Sequence, residues 1–175
     1  VLFRSQTDGD GNTIFNISIQ RTNDQFFIDL LDFLKTNDDY RNIINYLLTT
    51  KNNQDKNAIE TAVDCENFRH FMIMLDALDE QQITIALADQ YTLGTIANGI
   101  NQCLAREEFD FVERVITKIL SNDPDNQAKI ALLSQQFGGN QESLLINSAI
   151  IGKEKIVEVI LRNLSEENKM LLLKQ

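Results

Sequence analysis

The side chains able to do acid, base or metal chemistry are few, and their spacing suits none of the common sites. His70 is the only histidine, which removes metal sites built on two histidines and leaves any histidine base at one position. Asp8-Gly9-Asp10-Gly11-Asn12 opens like a calcium loop, with oxygen ligands at positions one, three and five. The remainder fails, because Thr13 stands where the loop needs Gly and Ile19 where it needs Glu. Asp-Gly and Gly-Asn are strong turn signals, so this segment reads as a turn. Gly152-Lys153 resembles the end of a phosphate-binding loop, but Glu154 occupies the Ser/Thr position and the required upstream Gly is missing. The acids Asp76, Asp79 and Glu80, and the pair Glu107 and Glu108, could serve as general acid and base. Each group lies at a polar break, where solvated helix ends that complement the dipole are expected. Cys65 and Cys103 match no metal or disulfide pattern and read as reduced, buried thiols. No cofactor is expected, and a small enzyme working through its carboxylates is set aside.

Recognition is what remains, and composition narrows it. The chain has 175 residues, 43% of them hydrophobic, enough to bury a sizeable core. Its 26 acidic and 16 basic residues leave a net charge of -10, with Lys and Arg scattered singly. That balance opposes nucleic acid and anionic membranes as partners. No apolar run approaches the roughly 20 residues of a spanning helix, and no signal-peptide pattern opens the chain. Val1 to Ser5 correspond to what the end of a common sequencing adapter would encode, so residues 1–7 are read as a non-native or disordered leader. The apolar helical pattern running to Gln175 suggests that residues 8–175 are one array truncated at both ends.

The positioning elements come from an internal repeat. Four related segments begin near residues 13, 57, 98 and 143. Each has an apolar third residue (Phe15, Ile59, Ile100, Leu145), a small sixth (Ser18, Ala62, Cys103, Ser148) and an apolar seventh (Ile19, Val63, Leu104, Ala149). After a polar break, bulky residues follow at fourteen and fifteen: Phe26-Phe27, His70-Phe71, Phe111-Val112 and Ile156-Val157. A further bulky pair comes at eighteen and nineteen. These spacings predict two short amphipathic helices joined by a tight turn, with the small sixth residue allowing close approach. His70 occupies a slot filled elsewhere by Phe or Ile, which argues for a packed structural role. A further apolar pattern follows each pair, at Tyr40 to Leu48, Ile83 to Leu87, Ile130 to Leu133 and Met170 to Leu173, and predicts a third helix per repeat. For the third of these, Asp123 is a candidate N-cap, Pro124 the first helical residue and Gly138-Gly139 the stop.

The helix pair resembles the ankyrin repeat, whose signature runs Thr-Pro-Leu-His-x-Ala-Ala, a Gly-bearing turn and then Ile-Val-x-x-Leu-Leu. Gly152 with Ile156-Val157, and Asp10-Gly11-Asn12-Thr13, carry that resemblance most clearly. No repeat has Pro at position two or His at position four, which implies that the network stiffening consensus repeats is missing. The spacings of 44, 41 and 45 residues also exceed the family's step of about 33. The fold expected is an all-α solenoid of four stacked ankyrin-like repeats, each with an additional helix; armadillo- and HEAT-type solenoids are the alternative.

The resemblance implies a protein-interaction scaffold, binding through hairpin tips and the concave face of the first helices. Carried over by position, the tips are Asp8, Asp10 and Asn12, then Asn53 and Asp55, then Tyr91, then Asn140 and Glu142. The eighth positions are Gln20, Asp64, Ala105 and Ile150. Ile146, one turn before Ile150, either joins it in an apolar spot or packs against a neighbouring helix. The partner expected is a protein with a basic surface, with no small-molecule substrate. The alternative is the targeting or regulatory region of a larger enzyme or secreted effector. The Asn- and Ile-rich usage resembles proteins of AT-rich genomes, and divergent ankyrin arrays resemble bacterial effectors. That suggests the cytoplasm of the producing cell or of a host.

Overall fold

A computed structural model describes residues 7–21, 24–36, 41–121, 127–137 and 142–173. Among the described residues the protein is helical apart from one two-residue antiparallel pairing. The first repeat forms α1 (Ile14–Gln20), α2 (Asp24–Thr36) and α3 (Arg41–Thr49), and the second forms α4 (Ala58–Asp64), α5 (Phe68–Ala77) and α6 (Glu80–Ala88). The third forms α7 (Gln90–Ala105), α8 (Phe109–Leu120) and α9 (Gln127–Ser134). In the fourth, β1 (Gln136–Phe137) and β2 (Glu142–Ser143) precede α10 (Leu144–Ile150), α11 (Glu154–Asn163) and α12 (Glu166–Leu173). The strands pair in the register Gln136 with Ser143 and Phe137 with Glu142. A third helix thus follows each helix pair where the apolar pattern placed it. Asp123, Pro124 and Gly138-Gly139 lie outside the described residues.

The chain divides into two compact units, Val1–Leu78 and Asp79–Gln175, so the boundary falls inside the second repeat, before α6. In the first unit α1 packs on α4 and α2 on α5; in the second, α7 packs on α10 and α8 on α11. The core positions are those of the repeat. Phe15, Ile59 and Ile100 at position three are fully enclosed, and the small sixth residues Ser18, Ala62, Cys103 and Ser148 are all buried. The apolar positions that depart from expectation are Phe26 and Ala149 in the helix pairs and Met170, Leu171 and Leu173 in the last third helix, all of them exposed.

First helices start where a polar side chain replaces the missing helical acceptors. Thr13 and Asn16 form a capping box, as do Asn57 and Glu60, while Ser143 accepts from the Ile146 amide. The third repeat differs: Asp89 accepts from the Thr92 amide, and α7 runs unbroken from Gln90 to Ala105. Leu93, Ile96, Ala97, Ile100 and Leu104 are buried at helical spacing through this stretch. The hairpin tip expected at Tyr91 is therefore the first turn of a helix.

The turn between first and second helices is the same in three repeats. Its tenth position is left-handed in each, with φ of 53° at Glu66, 66° at Glu107 and 77° at Gly152. The following amide donates to the sixth carbonyl: Asn67 to Ala62 at 2.8 Å, Glu108 to Cys103 at 3.0 Å and Lys153 to Ser148 at 2.8 Å. This closes the first helix in a Schellman-type cap. A side chain in the left-handed region costs about 1–2 kcal/mol, and glycine's extra chain entropy takes back about 0.5–1 kcal/mol. Glu66→Gly and Glu107→Gly are therefore each expected to stabilise the fold by about 0.5–1 kcal/mol in urea unfolding, and Gly152→Ala to destabilise it by about as much. Equal effects of Gly at exposed helix positions would contradict this turn geometry.

Position four carries no histidine, yet it bridges repeats. The Asn16 amide donates to the Thr61 hydroxyl at 2.9 Å, and the Asn147 amide donates to the Asn101 side-chain oxygen at 3.0 Å. Both bonds join position four of one repeat to position five of the next. Where the family's histidine is absent, asparagine supplies these bonds between repeats, having donor and acceptor on one short side chain.

Candidate interaction surface

The loops preceding the first and second repeats are two versions of one structure. In the first, the Asp8 amide donates to the Asn12 carbonyl at 3.1 Å and the Gly11 amide to the Asp8 carbonyl at 3.0 Å. The Asp8 carboxylate accepts from the Asp10 and Asn12 amides at 3.0 and 2.9 Å. In the second, the Asn52 amide donates to the Lys56 carbonyl and the Asp55 amide to the Asn52 carbonyl, at 3.0 and 2.9 Å. The Asn52 side-chain oxygen accepts from the Gln54 and Lys56 amides, both at 3.0 Å. Gly11 and Asp55 hold the matching left-handed position, at φ of 75° and 61°. An Asp or Asn side chain thus stands in for backbone acceptors in both turns.

The two loops are bonded side by side. The Asn53 amide donates to the Asp10 carbonyl at 2.9 Å, and its side-chain nitrogen to the Gly9 carbonyl at 3.2 Å. The Asn52 side-chain nitrogen donates to the Asn12 side-chain oxygen at 2.7 Å. Asp8, Asp10, Asn53 and Asp55 are left facing outward. Lys56 reaches past α4 to Asp64 at 2.6 Å, an exposed pair of small energetic weight. The side-chain amide of Asn12, followed by its backbone amide, holds the Asp8 carboxyl below its ordinary value, so the loop acid is ionised well below neutral pH.

Asn12 belongs to this framework, not to its surface. It is 4% exposed and spends its side chain on Asp8 and Asn52, so its expected place among the accessible tips is corrected. Gln20, Asp64, Ala105 and Ile150 are exposed at the ends of their first helices. Tyr91 is 58% exposed, Glu142 is half-buried in β2 and Ile146 is half-buried on α10. Asn140 lies outside the described residues. The structure brings Asp8, Asp10, Asn53 and Asp55 together in the first unit, while Tyr91, Ala105, Glu142, Ile146 and Ile150 belong to the second. Asn52 was missed from the sequence, although its 44-residue offset from Asp8 was the available signal.

Chemically active groups are placed conservatively. Cys103 is buried, and burial followed by the Glu108 charge pushes its thiol up to about 12. Cys65 is exposed at the end of α4, which corrects the reading of both thiols as buried. On α8 and the start of α11, an open cleft of about 530 Å³ is lined by both acids and bases, Asp110 and Glu113 with Arg114, Lys118 and Lys155. Beside it the Lys153 ammonium lies 3.5 Å from the Phe109 ring centroid.

His70 is fully enclosed, and neither ring nitrogen has a hydrogen-bond partner. Its ring meets Phe27 edge-on at 4.6 Å, and Nδ1 lies 3.4 Å from an Asp24 oxygen outside hydrogen-bond geometry. Burial holds the imidazole below its ordinary 6.5; Asp24 opposes this and Arg69 reinforces it. The folded protein therefore keeps His70 neutral at a pH where the unfolded chain takes up a proton. Stability from this group is complete above about pH 6.5 and declines as the pH falls from there toward the folded-state pKa. The difference in melting temperature between the parent and His70→Phe is expected to shift in the variant's favour between about pH 7.5 and 5.5. A constant difference across that range would contradict a neutral, buried imidazole.

Among the described residues, no three His, Cys, Asp or Glu side chains gather as a metal site, and no helix is long and apolar enough to cross a membrane. No family model, curated protein or solved structure matches the chain.

Proposed function

We propose that this chain is an ankyrin-like α-solenoid that serves as a protein-interaction scaffold. The stacked loops at 8–12 and 52–56 carry this reading. Each is a rigid turn, held by an internal Asp or Asn, and each presents short polar side chains on a backbone bonded to its neighbour. Such a surface is preorganised, so little ordering entropy opposes binding. The outward groups in the first unit are largely acidic, and the net charge is -10, which favours a partner with a basic face. The binding residues in this reading are Asp8, Asp10, Gln20, Asn53, Asp55 and Asp64 in the first unit and, taken by themselves, Tyr91, Ala105 and Ile150 in the second. Catalysis has no part in it. The site of action is the cytoplasm of the producing or a host cell.

Affinity capture with the parent chain, and with a variant in which Asp10, Asn53, Asp55 and Tyr91 are Ala, tests the surface. Partners recovered by the parent should be lost from the variant while its circular dichroism is unchanged. Recovery of the same proteins by both would rule out these residues as the binding surface.

A further inference from the structure

His70 and the outward loops belong to one contact, that of the first repeat with the second. α2 packs on α5, and there Phe27 meets the imidazole edge-on at 4.6 Å. At the loops the Asn53 amide donates to the Asp10 carbonyl and the Asn52 side chain to Asn12; at the first helices Asn16 donates to Thr61. All of these residues lie in the first unit.

Position fourteen is an apolar slot, filled in the third and fourth repeats by the buried Phe111 and Ile156. A neutral imidazole can stand in for such a side chain, but a charged one brings two N–H donors into the core. Only one of them has an acceptor nearby, the Asp24 oxygen 3.4 Å from Nδ1, and the other Asp24 oxygen is held by the Arg69 guanidinium at 2.8 Å. Nε2 is buried and has no partner at all. A proton on both nitrogens therefore leaves a charged donor enclosed and unsatisfied, an arrangement that the fold relieves only by letting the ring reach water.

The charges that act on the ring are those of Asp24 on α2, which favours the proton, and Arg69 on α5, which opposes it. Elsewhere around it, Glu60 on α4 is held in its capping box and Asp64 is paired with Lys56. Asp29 and Asp32 on α2, Asp76 on α5, and Cys65 and Glu66 in the turn are exposed, and Lys35 stands at the far end of α2.

We propose that mild acid opens this junction: a proton taken up by His70 draws the ring out to water, parts α2 from α5 and unstacks the loops at 8–12 and 52–56. The Asp8 carboxyl that holds the first loop stays ionised in the same range, so the change at the loops is transmitted from His70. The second unit contains no histidine and stays closed. Acid thereby releases a partner bound at Asp10, Asn53 and Asp55, and that last step alone rests on the function proposed above.

Native-state hydrogen exchange at about pH 7.5 and 5.5, corrected for the pH dependence of chemical exchange, reads the opening without any partner. Exchange at the Asn53 amide and along α2 should rise severalfold at the lower pH. About tenfold is the ceiling for a group that titrates near 6.5 once open. The amides of α8 and α11 should not change. His70→Phe should abolish the rise, and His70→Ile, with the fourth repeat's residue in the slot, serves if the larger ring does not fit. Equal acceleration in parent and variant, acceleration in α8 and α11 as great as at Asn53, or an imidazole that takes up its proton with no acceleration would overturn the proposal. A partner still bound at the lower pH while Asn53 exchange rises would sustain the opening and contradict the loops as the binding surface.

Discussion

Replacing Phe27 by Ala is expected to lower the unfolding free energy by about 3–5 kcal/mol, the loss typical of emptying an enclosed aromatic site. Phe27 is 0% exposed and sits between Phe15, at 5.1 Å, and the His70 ring, at 4.6 Å. Those three residues come from α1, α2 and α5, so the side chain ties the first repeat's helices to each other and to the second repeat. Its removal leaves a cavity beside an imidazole that already lacks hydrogen-bond partners. Water entering there would hydrate His70 and return its pKa toward the ordinary value, so the variant should also lose part of the acid sensitivity described above. Phe33→Ala is the control. Phe33 lies on the same helix and is 50% exposed, and its loss should cost about 1 kcal/mol or less. Urea unfolding followed by circular dichroism separates the two, and equal costs would mean that the Phe15–Phe27–His70 cluster does not join the repeats.

Gly11→Ala should cost about 1.5–2 kcal/mol, from about 0.5–1 net for a side chain in the left-handed region and about 1 for a weakened loop contact. Gly11 has φ of 75°, and a Cβ there would stand 2.6 Å from the Asn53 side-chain oxygen and 3.1 Å from the Asn53 backbone nitrogen. The side chain can swing away, but that nitrogen is held by its bond to the Asp10 carbonyl at 2.9 Å. Gly152 has a similar φ of 77° and open space around it, so Gly152→Ala bears only the backbone part of the cost. A larger loss at Gly11 than at Gly152, with changed amide shifts at Asp10 and Asn53, is the expected pattern. Equal losses would indicate that the loops at 8–12 and 52–56 are not stacked.

The helices were legible because burial on one face imposes a period, and that period survives in Phe15, Ile59, Ile100 and Leu145. The turn was legible at Gly152 alone. Glu66 and Glu107 hold the same conformation with a residue type that gives no hint of it, since the sixth-position carbonyl, and not local preference, sets the backbone there. Asn12 reads as an exposed tip and Asn52 does not stand out in the sequence, yet each is buried and hydrogen-bonded to a segment some forty residues away. The inter-repeat bonds of Asn16 and Asn101 were hidden for a related reason. The family signature directs attention to histidine, while the geometry asks only for a short side chain with both donor and acceptor. The continuous α7 was obscured by aligning the third repeat on its neighbours, although Leu93, Ile96 and Ala97 already keep helical spacing upstream of Asn98.

The most direct test of stacked repeats is a chain ending before the fourth first helix, residues 1–142. Stability in such an array is a sum of repeat and interface contributions, so losing the last repeat removes one interface and leaves the others. Circular dichroism should show the shortened chain folded, with its remaining helices intact, and urea should unfold it at a lower concentration than the parent. A shortened chain without helical signal in buffer would contradict the stacked arrangement and point to a closed helical core.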